Sequence, residues 1–439
     1  RKETIGDLDI VVGVRPEEHE NVANAILALH GIADVKGAGD SKISLILEAS
    51  IFEDGFSVGH IDANVLDAIG GDDYEQLESA GTIDAQVRLV PPEMFSFTLA
   101  YFTGSKEHNI AMRQRAIDRG LRLNEFGLIP EQEAGELKGI EAAQYSLHAM
   151  TEEDIYAHLD MQWVAPELRE DMGEMDAGSQ QALPHLLELP SIKGALHNHT
   201  VVSDGEATLE QMADAAQSLG WNWLGIADHS PTLKIANGAP ADRLLEQGQT
   251  IKQYNQKWAD DGVDFRLFHG VESDILPGGK LDHPDDVLRE LDYVVASVHA
   301  VTKWRGRDEN ENTEELLKVL EHPATTIIGH PTGRILQGRE GYEVDVYRII
   351  DAMAEHIQDG KFKAIELNAS PYRLDIDYRL CKYAKISGVP VAISPDAHST
   401  RGLADIQYGV MTARKGWLEE DDVLNTMSGE SLAQQLALQ

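Results

Sequence analysis

The stretch ALHNHTVVSD, residues 195–204, places two histidines one residue apart and a carboxylate five residues after the second. Along a strand, residues i and i+2 point to the same side, so His197 and His199 present two imidazoles together. Later apolar stretches end in the same kind of side chain. WNWLGIADH ends at His229 with Asp228 beside it, DFRLFHGVE at Glu272, LDYVVASVH at His299, TTIIGH at His330, KAIELN at Asn368, and VPVAISPDAH at Asp396 and His398. A mixed nitrogen and oxygen donor set suits Zn, Mn or Fe better than Ca or Mg. With this many candidate donors, Asp204 included, two or three ions are expected. Clustered ions activate water and clamp phosphoryl oxygens, so phosphoester hydrolysis is the natural reaction. His269, His283, His322 and His356 are read as ordinary packed or exposed histidines.

Such donors must be carried to one place by the fold. Seven apolar strands alternating with helical stretches from residue 192 onward predict a parallel α/β sheet, most simply a barrel. In a barrel of this kind the chemistry sits at the C-terminal ends of the strands. The first half has a different rhythm. ETIGDLDIVVGV (3–14), KISLILEA (42–49) and TIDAQVRLVP (82–91) read as strands, whereas NVANAILALHGI (21–32) and EHNIAMRQRAIDRGL (107–121) read as helices. GGDDYEQLESAG (70–81) reads as a surface insertion, and PELREDMGEMDAGSQQALP (166–184) as a polar linker.

The chain of 439 residues is long enough for two or more domains. It carries 37 basic and 75 acidic residues, a formal net charge of -38, which works against nucleic-acid binding through a global positive field. Any such contact needs a local basic patch. Five basic residues against two acidic ones between 105 and 122 supply a candidate. No apolar run is long enough for a membrane span, and nothing at the start resembles a secretory signal. The single cysteine, Cys381, favours a reducing, cytoplasmic setting. Asp7 and Asp9, in GDLDIVV, share one strand face, and two such carboxylates are candidates for holding Mg²⁺ in a nucleotidyl transfer.

The ordered set HNH, SDG, ADHS, GVES, SVH, GHP and SPDAH, over about residues 190–435, resembles the PHP (polymerase and histidinol phosphatase) family of metal-dependent phosphoesterases. The resemblance implies a distorted (β/α)7 barrel with a trinuclear site of nine ligands: His197, His199, Asp204, His229, Glu272, His299, His330, Asp396 and His398, holding Mn or Zn. Relatives often have Asp where this chain has Ala195, a position that is not a ligand. Arg334, in GHPTGR, and Arg373 are candidates for holding substrate phosphate. Upstream, YFTGSKEHNIAMRQRAIDRGLRLNEFGL (101–128) resembles the palm and thumb region of family X DNA polymerases, and RKETIGDLDIVV and VRLVPPEMF fit the same proteins. The expected architecture is therefore a nucleotidyltransferase-like palm (1–100, with an insertion at about 50–81), a thumb-like region (101–165), a linker (166–190) and a PHP domain (191–439). Tyr101, Phe102 and Gly104 are implied to shape the pocket for the nucleotide sugar, and Asn109 and Arg113 to reach the minor-groove side of the nascent pair. Mg or Mn in the palm, deoxynucleoside triphosphates, and primer-template or gapped DNA follow as cofactor and partners.

The family's palm also needs a third carboxylate, placed two residues before the Arg of the RLVPPE-like segment. Here that Arg is Arg88 and the aligned position is Gln86, a neutral amide. Asp84 lies two residues earlier on the same strand face, displaced by roughly 6–7 Å, so it needs a bulge to take the role. Relatives usually carry a lyase-like domain, helix-hairpin-helix segments and a Gly-Ser before the first strand. This chain starts inside that last motif at Arg1 and reads as a fragment or truncated product. The expected function is a DNA-repair enzyme joining a polymerase, weakened by Gln86, to a 3′-to-5′ exonuclease. The alternatives are a small-molecule phosphatase of the histidinol-phosphate kind and a nuclease with a docking-only palm.

Overall fold

The computed structural model describes residues 3–39, 41–48, 81–299 and 304–437, which divide into two compact units near residue 185. Most of the proposed insertion at 70–81 lies outside the described residues.

The first unit is built on a four-stranded mixed sheet. Its strands are β1 (Asp7–Gly13), β2 (Ile32–Ala38), β3 (Lys42–Glu48) and β4 (Thr82–Val90), in the spatial order β1-β4-β3-β2. The period-2 alternation of β3 and β4 decides their faces. Ile43, Leu45, Leu47, Ala85, Val87 and Leu89 pack together on one side, where Val22, Ala23, Ile26 and Leu27 of the helix His19–Leu27 cover them. The polar residues of β1 and β4 are left on the other side. Two helices follow, Phe95–Thr103 and Lys106–Ile117, with the Ser105 hydroxyl accepting from the His108 amide as an N-cap. The hairpin β5 (Leu121–Asn124) and β6 (Gly127–Pro130) comes next, then a short helix Glu152–His158 opened by a Thr151/Asp154 capping box.

Residues 166–184 are a folded part of this unit rather than a linker. Arg169 is buried and pairs through both terminal nitrogens with Glu152, at 2.6 and 2.8 Å. Glu174 is also buried. Its carboxylate accepts from the amides of Asp171 and Met172 and lies 2.7 Å from His108 Nδ1. A sequence that looks solvated by composition is held by charges satisfied internally.

The second unit is a curled parallel sheet. Its strands are β7 (Trp223–Ile226), β8 (Arg266–Leu276), β10 (Tyr293–Ser297), β11 (Ile327–Gly329), β12 (Ala364–Asn368) and β13 (Val391–Ser394), with the two-residue β9 (Lys280–Leu281) paired antiparallel to the end of β8. The first expected strand, 192–199, is not a regular one. It still lies hydrogen-bonded between β7 and the end of β13: Gly225 N donates to Ala195 O, Ala227 N to Asn198 O, and His199 N to Ala397 O. Side-chain amides interrupt the ladder. Asn198 donates to the carbonyls of Ala195 and Gly225, and Asn425 to those of Gly194 and Ile393. The expected barrel is thus closed by an irregular seventh segment.

Alternation along the strands sets up the interior. Trp223, Phe268, Tyr293, Ile327, Ala364 and Ala392 form one apolar cluster with Phe362, Leu432 and Leu436, while the intervening Leu224, Leu267, Val294, Ile328, Ile365 and Ile393 join the larger core that includes the surrounding helices. Above the apolar layer the Tyr293 ring crosses the barrel and its hydroxyl donates to Leu196 O. A Cβ at Gly225 would lie 2.6 Å from the Tyr293 hydroxyl and one at Gly270 2.4 Å from the ring, which is why glycine stands at both places. Further on, at the C-terminal ends of the strands and in the loops that follow them, the side chains become imidazoles and carboxylates.

Candidate functional site

Glu272, buried near the end of β8, is the hub of the second unit's polar end. Its Oε2 lies 2.6 Å from His229 Nδ1 and 3.4 Å from His197 Nε2, and its Oε1 lies 3.0 Å from His330 Nε2 and 3.3 Å from His299 Nε2. Asp396 Oδ1 is 3.1 Å from His199 Nε2. Asp204 approaches His229 Nε2 at 3.4 Å and His398 Nε2 at 3.5 Å. Three groups of donors result, each with its atoms within 4.8 Å of one another: His199, Asp204, His229 and His398; His197, His199 and Asp396; His229, Glu272 and His299. The structure therefore brings all nine sequence-expected residues to one place, His330 through its contact with Glu272.

Two observations fit this set to metal ions. His197 Nε2, His199 Nδ1, Asp204 Oδ2, His229 Nδ1 and Glu272 Oε2 are buried without a hydrogen bond. Buried polar atoms are normally paired, so orphans converging on shared points mark a place for cations. The electrostatics agree. Burial pushes His197 and His229 down, yet Glu366, Glu272 and Asp396 around the one, and Glu272 and Asp204 around the other, raise both well above the ordinary histidine range. His299 is lifted to about 9 by Glu272 and Asp274 against its burial. His199, buried beside His398 and His229, falls to about 4. This carboxylate field demands positive charge, and divalent cations supply it while leaving imidazole nitrogens as ligands.

A surrounding layer orients these donors. Glu366 Oε1 is 2.6 Å from His197 Nδ1, and its Oε2 accepts from the His330 amide at 2.7 Å. Asp274 lies 3.0 Å from His299 Nδ1, and Asn368 donates to Asp396 at 2.9 Å. Asp228 accepts from Thr200, Ser203 and Gln247, which fixes the loop carrying Asp204. The sequence reading missed Glu366 and Asp274. A signal was present: each stands two residues from a strand-end candidate, Asn368 or Glu272, and so on the same strand face.

The two arginines expected to hold phosphate separate. Arg373 Nε lies 3.7 Å from Asp396 Oδ2, and its Nη1 is buried without a hydrogen bond. Arg334 instead donates from Nε to Arg373 O at 2.9 Å and from Nη2 to Leu374 O, bracing the loop that carries Arg373.

In the first unit, β1 and β4 pair in parallel with Asp7 opposite Asp84, Asp9 opposite Gln86 and Val11 opposite Arg88, and the register runs through all seven pairs without a shift. Parallel partners share a face, so Asp7, Asp9, Asp84 and Gln86 line one surface. The Lys36 ammonium, from β2, pairs with Asp84 at 2.6 Å. Next along β4, Arg88 places its guanidinium 4.3 Å from the centre of the Phe102 ring, whose neighbour Tyr101 meets it edge-on. Gly104 ends the helix bearing Tyr101 and Phe102. Asn109 ties the turn that follows, donating to the carbonyls of Tyr101 at 2.8 Å and Gly104 at 3.3 Å, and Arg113 lies one helical turn further on. Tyr101, His108, Asn109, Arg113 and Tyr156 line a common cleft.

Residues 98–170 match the family model described as DNA polymerase beta thumb, and residues 195–370 match the PHP domain model. Over 427 residues, 97% of this chain, the sequence is 37% identical to "DNA polymerase/3'-5' exonuclease PolX" of Bacillus subtilis (strain 168). The chain belongs to the family X DNA polymerases that carry a PHP domain. It spans 65% of the length of that Bacillus protein. A probable phosphatase of Thermoanaerobacter sp. (strain X514) is 30% identical over 243 residues, 53% of this chain and 90% of that protein. A probable phosphatase of Clostridium novyi (strain NT) is 29% identical over 212 residues, 46% of this chain and 78% of that protein.

Two features of the first unit bear on the expected nucleotidyl-transfer site and basic stripe. The unshifted ladder leaves Asp84 beside Asp7, and the amide of Gln86 stands beside Asp9. The bulge that would slide Asp84 forward is not there. The basic stripe is also largely engaged: Arg115 donates to the carbonyls of Leu159 and Asp160, Arg119 to the Asp160 carboxylate, and Arg122 to the carbonyls of Leu137 and Gly135.

Proposed function

We propose that this chain is a DNA-processing enzyme whose PHP unit hydrolyses phosphodiesters at a DNA 3′ end, beside a palm and thumb that hold primer-template or gapped DNA and a deoxynucleoside triphosphate. The observation that carries the reading is the convergence of eight imidazoles and carboxylates on three donor groups, with His330 against Glu272 and Arg373 at their edge. His197, His199, Asp204, His229, Glu272, His299, His330, Asp396 and His398 would hold two or three ions of Mn or Zn. When bound, such ions supply an activated water and stabilise the charge that develops on a phosphoryl group. Arg373 would orient the scissile phosphate through charge-assisted hydrogen bonds. Glu366 and Asp274 keep the imidazoles of His197 and His299 turned inward.

In the palm, Asp7 and Asp9 would hold Mg or Mn, while Tyr101, Phe102, Gly104, Asn109 and Arg113 frame the nucleotide. With Asp84 paired to Lys36 and Gln86 neutral, polymerase activity is weak and the unit acts chiefly in docking DNA. No helix among the described residues is long and apolar enough to cross a membrane, and the lone Cys381 is buried, in keeping with a cytoplasmic enzyme.

The test is a 5′-labelled primer-template incubated with Mn²⁺, with and without nucleotides. Stepwise shortening from the 3′ end, lost in His398→Ala, is the expected result. Hydrolysis of small phosphomonoesters with DNA left intact would favour a small-molecule phosphatase, the reading that the phosphatase relatives' names suggest.

A further inference from the structure

The turn that would frame the nucleotide sugar rests on a buried polar chain that no nucleotide contact explains. His108, Glu174 and Tyr156 are 2%, 0% and 1% exposed. His108 Nδ1 lies 2.7 Å from Glu174 Oε1, and its Nε2 lies 3.0 Å from the Tyr156 hydroxyl. Glu174 is fixed in turn by the amides of Asp171 and Met172, which donate to it at 2.8 and 2.7 Å. Both ring nitrogens are therefore engaged, and the imidazole is held in one orientation.

That orientation sets the turn. The imidazole lies against Gly104, where a Cβ would stand 2.8 Å from His108 Cδ2. Gly104 has an ordinary extended backbone, φ -76° and ψ 157°, so glycine is needed there for close approach and not for conformation. Asn109 ties the same turn, donating to the carbonyls of Tyr101 and Gly104. The segment 166–174 closes the arrangement. Arg169 O accepts from the Ser105 amide at 3.0 Å, while the Arg169 guanidinium is anchored on Glu152.

Packing alone would be served by an apolar side chain at position 108. Burying an imidazole, a carboxylate and a phenol together costs desolvation, and what a fully bonded network of this kind supplies is fixed geometry. We propose that His108, gripped by Glu174 and Tyr156, is a positioning residue for nucleotide binding: it keeps the backbone of residues 101–105 at the distance that admits a deoxyribose and turns away a ribose. Discrimination against one added oxygen needs a wall that does not yield, and a ring bonded at both nitrogens provides one. This rests on the reading that the first unit holds a deoxynucleoside triphosphate, and names the residues that give that pocket its choice of sugar.

The experiment uses the full chain with Mg²⁺, in a His398→Ala background that spares the primer. The primer-template carries a dideoxy-terminated primer and 2-aminopurine as templating base, and its fluorescence is titrated with dUTP and UTP, which differ only in the 2′-hydroxyl. Without incorporation, the readout is binding and does not depend on the palm's catalytic power. Tyr156→Phe loses one hydrogen bond and keeps the ring; it should weaken dUTP binding about threefold to tenfold and UTP binding less. His108→Ala should shrink the preference for dUTP about tenfold. A double-variant cycle adds a test of contact: Gly104→Ala should weaken dUTP binding about fivefold with His108 present and less than about twofold in Gly104→Ala/His108→Ala, where the added methyl meets no ring. Equal weakening for both nucleotides, or strictly additive effects in the cycle, would make His108 a core residue and overturn the proposal. If His108→Ala does not fold, Tyr156→Phe decides, and a preference unchanged from the parent overturns it. A parent that binds both sugars alike overturns it while leaving a nucleotide site. A parent that binds primer-template but shows no response to dUTP overturns the nucleotide-holding reading, and the proposal with it.

Discussion

Glu366 holds two metal-centre residues at once: one carboxylate oxygen lies 2.6 Å from His197 Nδ1 and the other accepts the His330 amide at 2.7 Å. Partners of this kind set the tautomer and orientation of a ligating imidazole. Glu366→Ala should therefore weaken metal binding about 10–100-fold. Competition with a chromophoric chelator measures this. Unchanged affinity in a folded variant would remove Glu366 from the role.

The purified chain should contain two or three transition-metal ions, and the His197→Ala/His199→Ala double variant should lose at least one by elemental analysis. Stripping with a chelator should lower the unfolding temperature of the PHP unit, and Mn²⁺ at about 100 times its dissociation constant should restore about 2.7 kcal/mol. A melting curve indifferent to both treatments would count against a built site.

The parallel pairing of Asp9 with Gln86 bears on the polymerase. In a His398→Ala background, with primer-template, Mn²⁺ and all four nucleotides, we expect little or no extension. Gln86→Asp should raise the rate by about 100-fold if it completes the charge that the palm lacks. Brisk extension by the parent palm, abolished by Asp84→Ala, would show instead that Asp84 leaves Lys36 and takes the role.

The thumb-side unit should be sensitive to acid. Burial pushes the Glu174 carboxyl up, but His108 and the amides that donate to it outweigh burial and hold it below the ordinary carboxylate value. A depressed carboxyl stabilises the fold above the ordinary carboxylate range, and that contribution is lost as pH falls through the range toward its folded value. Glu174→Ala also strands His108 and two backbone amides, so it should cost about 3–5 kcal/mol at neutral pH. Thermal melts of parent and variant should converge as the pH is lowered through the carboxylate range. A gap that stays constant with pH would argue against a depressed Glu174 carboxyl.

Much of the chemistry was legible because strand periodicity and residue type coincide. An apolar run ending in His, Glu or Asp states both the strand and the side chain at its mouth, so the parallel sheet and most of the candidate donors could be read from order alone, while the set of nine is what the family resemblance implies. Local pattern failed where the stabilising contacts are distant in sequence. The strand Ile32–Ala38 is an exposed edge with no alternation to mark it. Residues 166–184 look solvated until Arg169 meets Glu152 and Glu174 meets His108. The sequence by itself determined which side chains could bind cations and, through the family it resembles, that the amide of Gln86 stands where a carboxylate is expected. Only the tertiary structure decided that Asp84 faces Asp7 and pairs with Lys36, that Arg373 and not Arg334 reaches the centre, and that Glu366 supports it. Register and long-range side-chain pairing arise from packing between segments far apart in the chain, and no local periodicity encodes them.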